Sequence, residues 1–151
     1  MGEQGLLLTS RDSGQHYERL TTPYKGSFFT AQPLADGEWL VAGLRGNAWR
    51  SSARGREWTQ IDGLPPVNIT VSARVGAQGL LLINQAGQGF ISRDQGQHFE
   101  PVALPPGPPV ADALALPEGG LITVSFAGVR RIDLPAAQTA AAPVQPNRAE
   151  R

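Results

Sequence analysis

The chain reads as short apolar runs of roughly four to eight residues, each closed by glycine, Asp-Gly or proline. "SFFTAQPL" (27–34) has the composition of a strand, "ADG" turns, and "EWLVAG" (38–43) returns. "LRGN" turns again before a third strand at "AWRS" (48–51) and a fourth at "EWTQI" (57–61). The next stretch repeats the scheme as "NITVSARV", "GAQ", "GLLLIN", "QAGQ", "GFIS" and "HFEPV" (68–102). No segment of useful length carries apolar residues at a 3.6-residue period. The pattern predicts an all-β chain.

The units are copies of one another. "SRDSGQHY" begins at Ser10, "SSARGREW" at Ser51 and "SRDQGQHF" at Ser92, so successive copies stand 41 residues apart. Serine, glycine and an aromatic stay in register in all three. A period of this length lies in the range of four-stranded propeller blades.

Each copy has a physical task in the turn between strands three and four. Asp12 and Asp94 can accept backbone N–H bonds within their own turn. Gly14, Gly55 and Gly96 supply a positive φ that other residues resist. Ser10, Ser51 and Ser92 can add a hydroxyl bond to the same turn. Tyr17, Trp58 and Phe99 are expected to fold into the core between neighbouring sheets.

These residues resemble the Asp-box, or bacterial neuraminidase repeat, S-x-D-x-G-x-x-[W/F]. The resemblance covers roughly residues 5–134, and the second copy departs from it with Ala53 in place of aspartate. It implies a β-propeller in which the box is structural and lies away from the functional face. Sialidases, xyloglucan hydrolases, sorting receptors and assembly factors share the motif. The blade type of "ISRDQGQHFEPV" looks most like the photosystem II stability and assembly factor-like proteins, which implies a binding scaffold aiding assembly of a membrane complex. The alternative is a fragment of an Asp-box glycoside hydrolase of the sialidase kind.

A serine, aspartate and histidine within one box have the inventory of a hydrolase triad. A triad needs its base between nucleophile and acid, which one tight turn cannot arrange, and a motif written more than once belongs to a blade. His16 and His98 are therefore expected at exposed positions on strand four, and no catalytic residue is assigned. The sialidase Arg-Ile-Pro signature is absent from the sequence, and Glu38, Glu57, Glu100 and Glu118 show no catalytic setting.

Strand counting gives a partial propeller: two full blades flanked by two incomplete ones. "GLLLTS" supplies only strand three before the first box, while "VADALAL", "GGLITVS" and "GVRRIDL" supply strands one to three after the last. At the next expected box the chain reads "DLPAAQTA". Residues 1–134 are thus expected to form the blades and 135–151, rich in alanine and proline, a disordered tail. Rings need four or more blades. The chain is expected to be the C-terminal part of a longer protein, or else to associate with itself through open blade edges.

Composition narrows the partners. Across 151 residues, thirteen basic and thirteen acidic side chains cancel, leaving no field to attract nucleic acid or an anionic membrane. Twelve of the basic residues are arginine and only Lys25 is lysine. With no cysteine and two histidines, neither a disulfide framework nor a metal site is expected, and no motif indicates a cofactor. No apolar run approaches the length of a membrane helix, and the start lacks the features of a signal peptide. The expected location is the periplasm or cell envelope if the full-length protein carries such a peptide, and the cytoplasm otherwise.

A protein or peptide partner is expected on the rim opposite the boxes, built from two-to-three turns and inter-blade connections. That rim carries Tyr24, Lys25, Arg45, Asn47, Asn68, Asn84, Gln85 and Phe126. An aromatic beside cations and amides suits a protein surface.

Overall fold

A sheet strand that reads as an unbroken apolar run must be covered on both faces, and "GLLLI" in the third unit is such a run. The computed structural model describes residues 1–134 other than Ala53 and Glu118, and at Asp36 the backbone alone. The expected tail, the departure at Ala53 and the candidate Glu118 lie outside the described residues.

Thirteen strands form in chain order: β1 (Leu7–Thr9), β2 (Glu18–Leu20), β3 (Phe28–Pro33), β4 (Trp39–Gly43), β5 (Ala48–Ser52), β6 (Glu57–Gln60), β7 (Ile69–Val75), β8 (Gly79–Asn84), β9 (Gly89–Ser92), β10 (Glu100–Val102), β11 (Asp112–Ala115), β12 (Leu121–Ser125) and β13 (Gly128–Ile132). They assemble as sheets β1-β2, β3-β4-β5-β6, β7-β8-β9-β10 and β11-β12-β13, each strand antiparallel to its neighbour. Two complete blades stand between a two-stranded first blade and a three-stranded fourth, as the sequence predicts. Even a bulge repeats, between Phe28 and Thr30 in one complete blade and between Ile69 and Val71 in the other.

The core consists of three seams between successive blades. Leu7, Phe28 and Val41 lie between the first and second blades. Leu40, Ala42, Ile69, Leu80, Leu82 and Phe90 lie between the second and third. Val71, Leu81, Ile83, Leu121 and Ile132 lie between the third and fourth. Along β8, Leu80 and Leu82 face backward while Leu81 and Ile83 face forward, and all four are buried. That explains the apolar run: period two persists, but both faces are inside.

Box aromatics enter these seams in one direction. Trp58 packs into the first seam and Phe99 into the second, each against the blade preceding its own. Gly55 and Gly96, both at φ 83°, make the necessary reversal. A Cβ on Gly96 would stand 2.9 Å from Leu40 and 3.0 Å from Leu80, so the turn itself presses on the seam. Tyr17 departs from the sequence expectation: it is 63% exposed instead of lying in the core. Its blade has no predecessor among the described residues, and its hydroxyl instead approaches Gly14.

Two substitutions separate backbone strain from crowding. Gly76→Ala, at a positive φ in open space, should cost about 1 kcal/mol. Gly96→Ala should add an overpacking penalty of about 1–3 kcal/mol, measured by denaturant unfolding. Equal losses at both sites would remove the seam from the explanation. Trp58→Ala should cost about 3 kcal/mol, the low end for a large ring because Trp58 is only half-buried. Its indole N–H has no partner among the described residues, so Trp58→Phe should lie within about 1 kcal/mol of wild type.

Candidate functional site

The box turns come first, because their residues carry the chemistry that resembles a catalytic centre. Ser92 Oγ donates to Asp94 Oδ1 at 2.8 Å and accepts the Gly96 N–H at 2.8 Å. The other carboxylate oxygen of Asp94 meets His98 Nδ1 at 2.6 Å, and Oδ1 also accepts the N–H groups of Gln97 and His98. In the first box Ser10, Asp12, Gly14 and His16 repeat this set. The acid therefore lies between hydroxyl and imidazole, whereas a triad needs the base there. His16 and His98 are exposed as expected, but they sit in the turn ahead of strands β2 and β10 instead of on them.

The second box differs from expectation. Ser51 Oγ leaves its own turn and accepts the Trp39 N–H at 2.8 Å. The turn is closed by the Ser52 carbonyl, which accepts the N–H groups of Gly55 and Arg56. With alanine in place of the box aspartate, the sequence offers the hydroxyl no carboxylate to donate to.

On the opposite rim the eight residues singled out from the sequence divide in two. Tyr24 is half-buried: it donates to the Leu44 carbonyl at 3.1 Å and stacks on Trp49. Asn84 is buried, and its Oδ1 accepts the N–H groups of Ala86 and Gln88 to close the β8–β9 turn. Asn47 acts in the opposite sense, its Nδ2–H donating to the Leu44 carbonyl at 2.9 Å. These three hold turns together. Asn68 ties two turns, accepting the Arg45 N–H at 2.9 Å and donating to Gln85 Oε1 at 3.0 Å.

The rest are exposed. Lys25, Arg45 and Gln85 present their side chains to solvent, and Phe126 at the β12–β13 turn is 88% exposed. Between the third and fourth blades, beside this turn, runs a groove of about 220 Å³. Leu104, Pro105, Pro106, Pro108 and Val110 line it, with Arg130 across from them donating to the Pro106 carbonyl at 3.2 Å. The groove wall is the inter-blade connection "LPPGPPV" (104–110), whose proline density is the signal in the sequence that could have found it.

The glutamates weighed for glycoside hydrolysis are placed as follows. Glu38 is held by Arg50 at 2.6 Å in a half-buried pair, and the Arg50 Nε–H reaches the Gln95 carbonyl of the next box. Glu57 accepts the Ser52 hydroxyl, and Glu100 pairs with Arg93 in an exposed bridge.

The box bonds have a pH signature. The His16 N–H, then its imidazole and the Ser10 hydroxyl, lower the Asp12 carboxyl to about 2. At Asp94, partial burial pushes upward, but the His98 N–H, its imidazole, the Ser92 hydroxyl and the Gln97 N–H outweigh it and hold the group well below its ordinary range. A depressed folded pKa gives stability that is present above the unfolded value and lost as pH falls through the folded one. The melting temperature of wild type minus that of Asp94→Asn should therefore shrink from pH 5 to pH 2, roughly the window below an ordinary aspartate. A difference that stays constant across that window would contradict the assignment.

Neither a family model nor a curated protein sequence matches the chain. Solved structures do. YCF48 bound to a D1 peptide superposes with TM-score 0.66 at 20% identity, over 83% of this chain and 44% of that one. The K499G mutant of NanB sialidase from Streptococcus pneumoniae superposes with TM-score 0.56 at 12% identity, over 78% and 23%. The chain thus spans less than half of either structure. With blades of four antiparallel strands, a box at each three-to-four turn and these neighbours, the chain has the fold of the Asp-box β-propellers.

Proposed function

We propose that this chain is a non-enzymatic propeller scaffold that binds an extended peptide or protein segment on the rim opposite its boxes. The observation that carries the reading is the division of labour between the two rims. The first and third boxes spend serine, aspartate and histidine on their own turns, while the other rim exposes Lys25, Arg45, Gln85 and Phe126 and holds a proline-walled groove between the third and fourth blades. An exposed aromatic, donors and an apolar cleft on one rim suit recognition of an extended peptide. A neighbour of the same fold is described as bound to a D1 peptide, which supports a peptide as the partner class. The resemblance of the blade sequence to the photosystem II assembly factor-like proteins extends the proposal to assistance in assembling a membrane complex, in the periplasm or cell envelope if the full-length protein carries a signal peptide and in the cytoplasm otherwise.

The test is binding to an array of peptides drawn from envelope-exposed segments of membrane proteins. Lys25→Ala with Arg45→Ala and Phe126→Ala should lose bound peptides about tenfold or more in affinity while melting normally. His16→Ala with His98→Ala should retain them. The reverse pattern would place function on the box rim. Turnover of fluorogenic glycosides by the purified chain would replace the scaffold with the glycosidase alternative.

A further inference from the structure

We propose that the outward faces of the first and fourth blades are the two halves of one seam, and that a second copy of this chain docks head to tail through them. The argument rests on repeat-equivalent positions, which can be compared directly because the period is constant. Leu8, Trp49 and Phe90 stand 41 residues apart, and Trp49 and Phe90 face the preceding blade. Trp49 lies in the first seam and Phe90 is buried in the second, but Leu8 is 47% exposed. Tyr17, Trp58 and Phe99 follow the same rule, with Tyr17 again the exposed member.

The opposite end is its complement. Facing forward, Leu40 and Ala42 are buried in the second blade, and Leu81 and Ile83 in the third. Their counterparts in the fourth blade are Ile122 and Val124, and Val124 is 43% exposed. Register places Leu114 beside Ile122 and Val129 beside Val124, on the same face, and both Leu114 and Val129 are exposed. One end is thus an aliphatic sheet face without the aromatics that cover such faces inside the molecule. The other end holds an aromatic and a leucine without the sheet they pack on.

Each end supplies what the other lacks, so a second copy satisfies both faces at once in a front-to-back arrangement. Back-to-back pairing would set Tyr17 against Tyr17 and leave the aliphatic face bare. A front-to-back contact is heterologous, so copies close into a ring or extend.

The experiment uses two double variants at exposed positions, with folding checked by melting. Leu8→Glu with Tyr17→Glu charges the back face, and Leu114→Glu with Val124→Glu charges the front. Tyr17→Ser serves as a milder back-face change. In sedimentation velocity, wild type should associate in a concentration-dependent way, and each double variant should weaken that association about tenfold or more. Mixed together, the two variants should form a 1:1 pair, because one intact front still meets one intact back. Wild type that stays monomeric, association that survives either variant, or a mixture that remains monomeric would each overturn the proposal.

Discussion

The structure depends on a reversal of chain direction in which a left-handed glycine throws an aromatic ring back over the preceding blade. In the third box Gln95 and Gly96 both take positive φ, and Phe99 then lands in the seam formed by Leu40, Leu80 and Leu82. A four-stranded sheet with apolar residues on both faces is unstable alone, since each face must be removed from water. The box answers that need by tying the outermost strand of one blade to the sheet before it. The seam also carries polar contacts, such as the Thr30–Ser72 hydroxyl pair and the Gln32 amide on the Ser72 carbonyl, that fix how the sheets stack.

The same constraint explains how a triad-like residue set serves the turn. A turn with two consecutive left-handed residues leaves backbone N–H groups pointing inward without ladder partners. The Asp94 carboxylate gathers those of Gln97 and His98, and the Ser92 hydroxyl takes that of Gly96 while donating to the acid. The carboxylate and the hydroxyl are thus both committed to holding the turn. The proposed binding surface accordingly lies on the rim where turns are closed by other means.

Strand positions, the repeat and the box turns were legible because they rest on local rules: period two, turn residues and positive φ. The structure departs where a residue's fate depends on a neighbour or on a rival partner. Tyr17 carries the same sequence signal as Phe99, but periodicity cannot tell whether a preceding sheet is present to receive it. Ser51 matches Ser92 and yet bonds across to β4, because the carboxylate that would hold it is missing from its turn. Tyr24 and Asn84 had the composition of a binding surface, but each found a backbone partner in the turns of its own rim. Polar residues in tight turns have that alternative close at hand, and composition does not reveal whether they take it.

Turn length then decides which side chains the rim exposes. In the third blade Asn84 ends strand two, and its amide spans a turn of four residues, Gln85 to Gln88, bonding both Ala86 and Gln88. Ser125 holds the equivalent place in the fourth blade, 41 residues on. Its shorter hydroxyl accepts the Ala127 N–H at 3.2 Å and donates to the Gly128 carbonyl at 3.4 Å, and the turn closes over two residues, Phe126 and Ala127. A turn that tight has no interior in which to hide a phenyl ring, so Phe126 is exposed next to Ser125, which lines the groove walled by Pro105, Pro106 and Pro108. Gln85 and Phe126 hold equivalent places 41 residues apart and both are exposed, so the fourth blade keeps the outward position and fills it with an aromatic where the third blade has an amide.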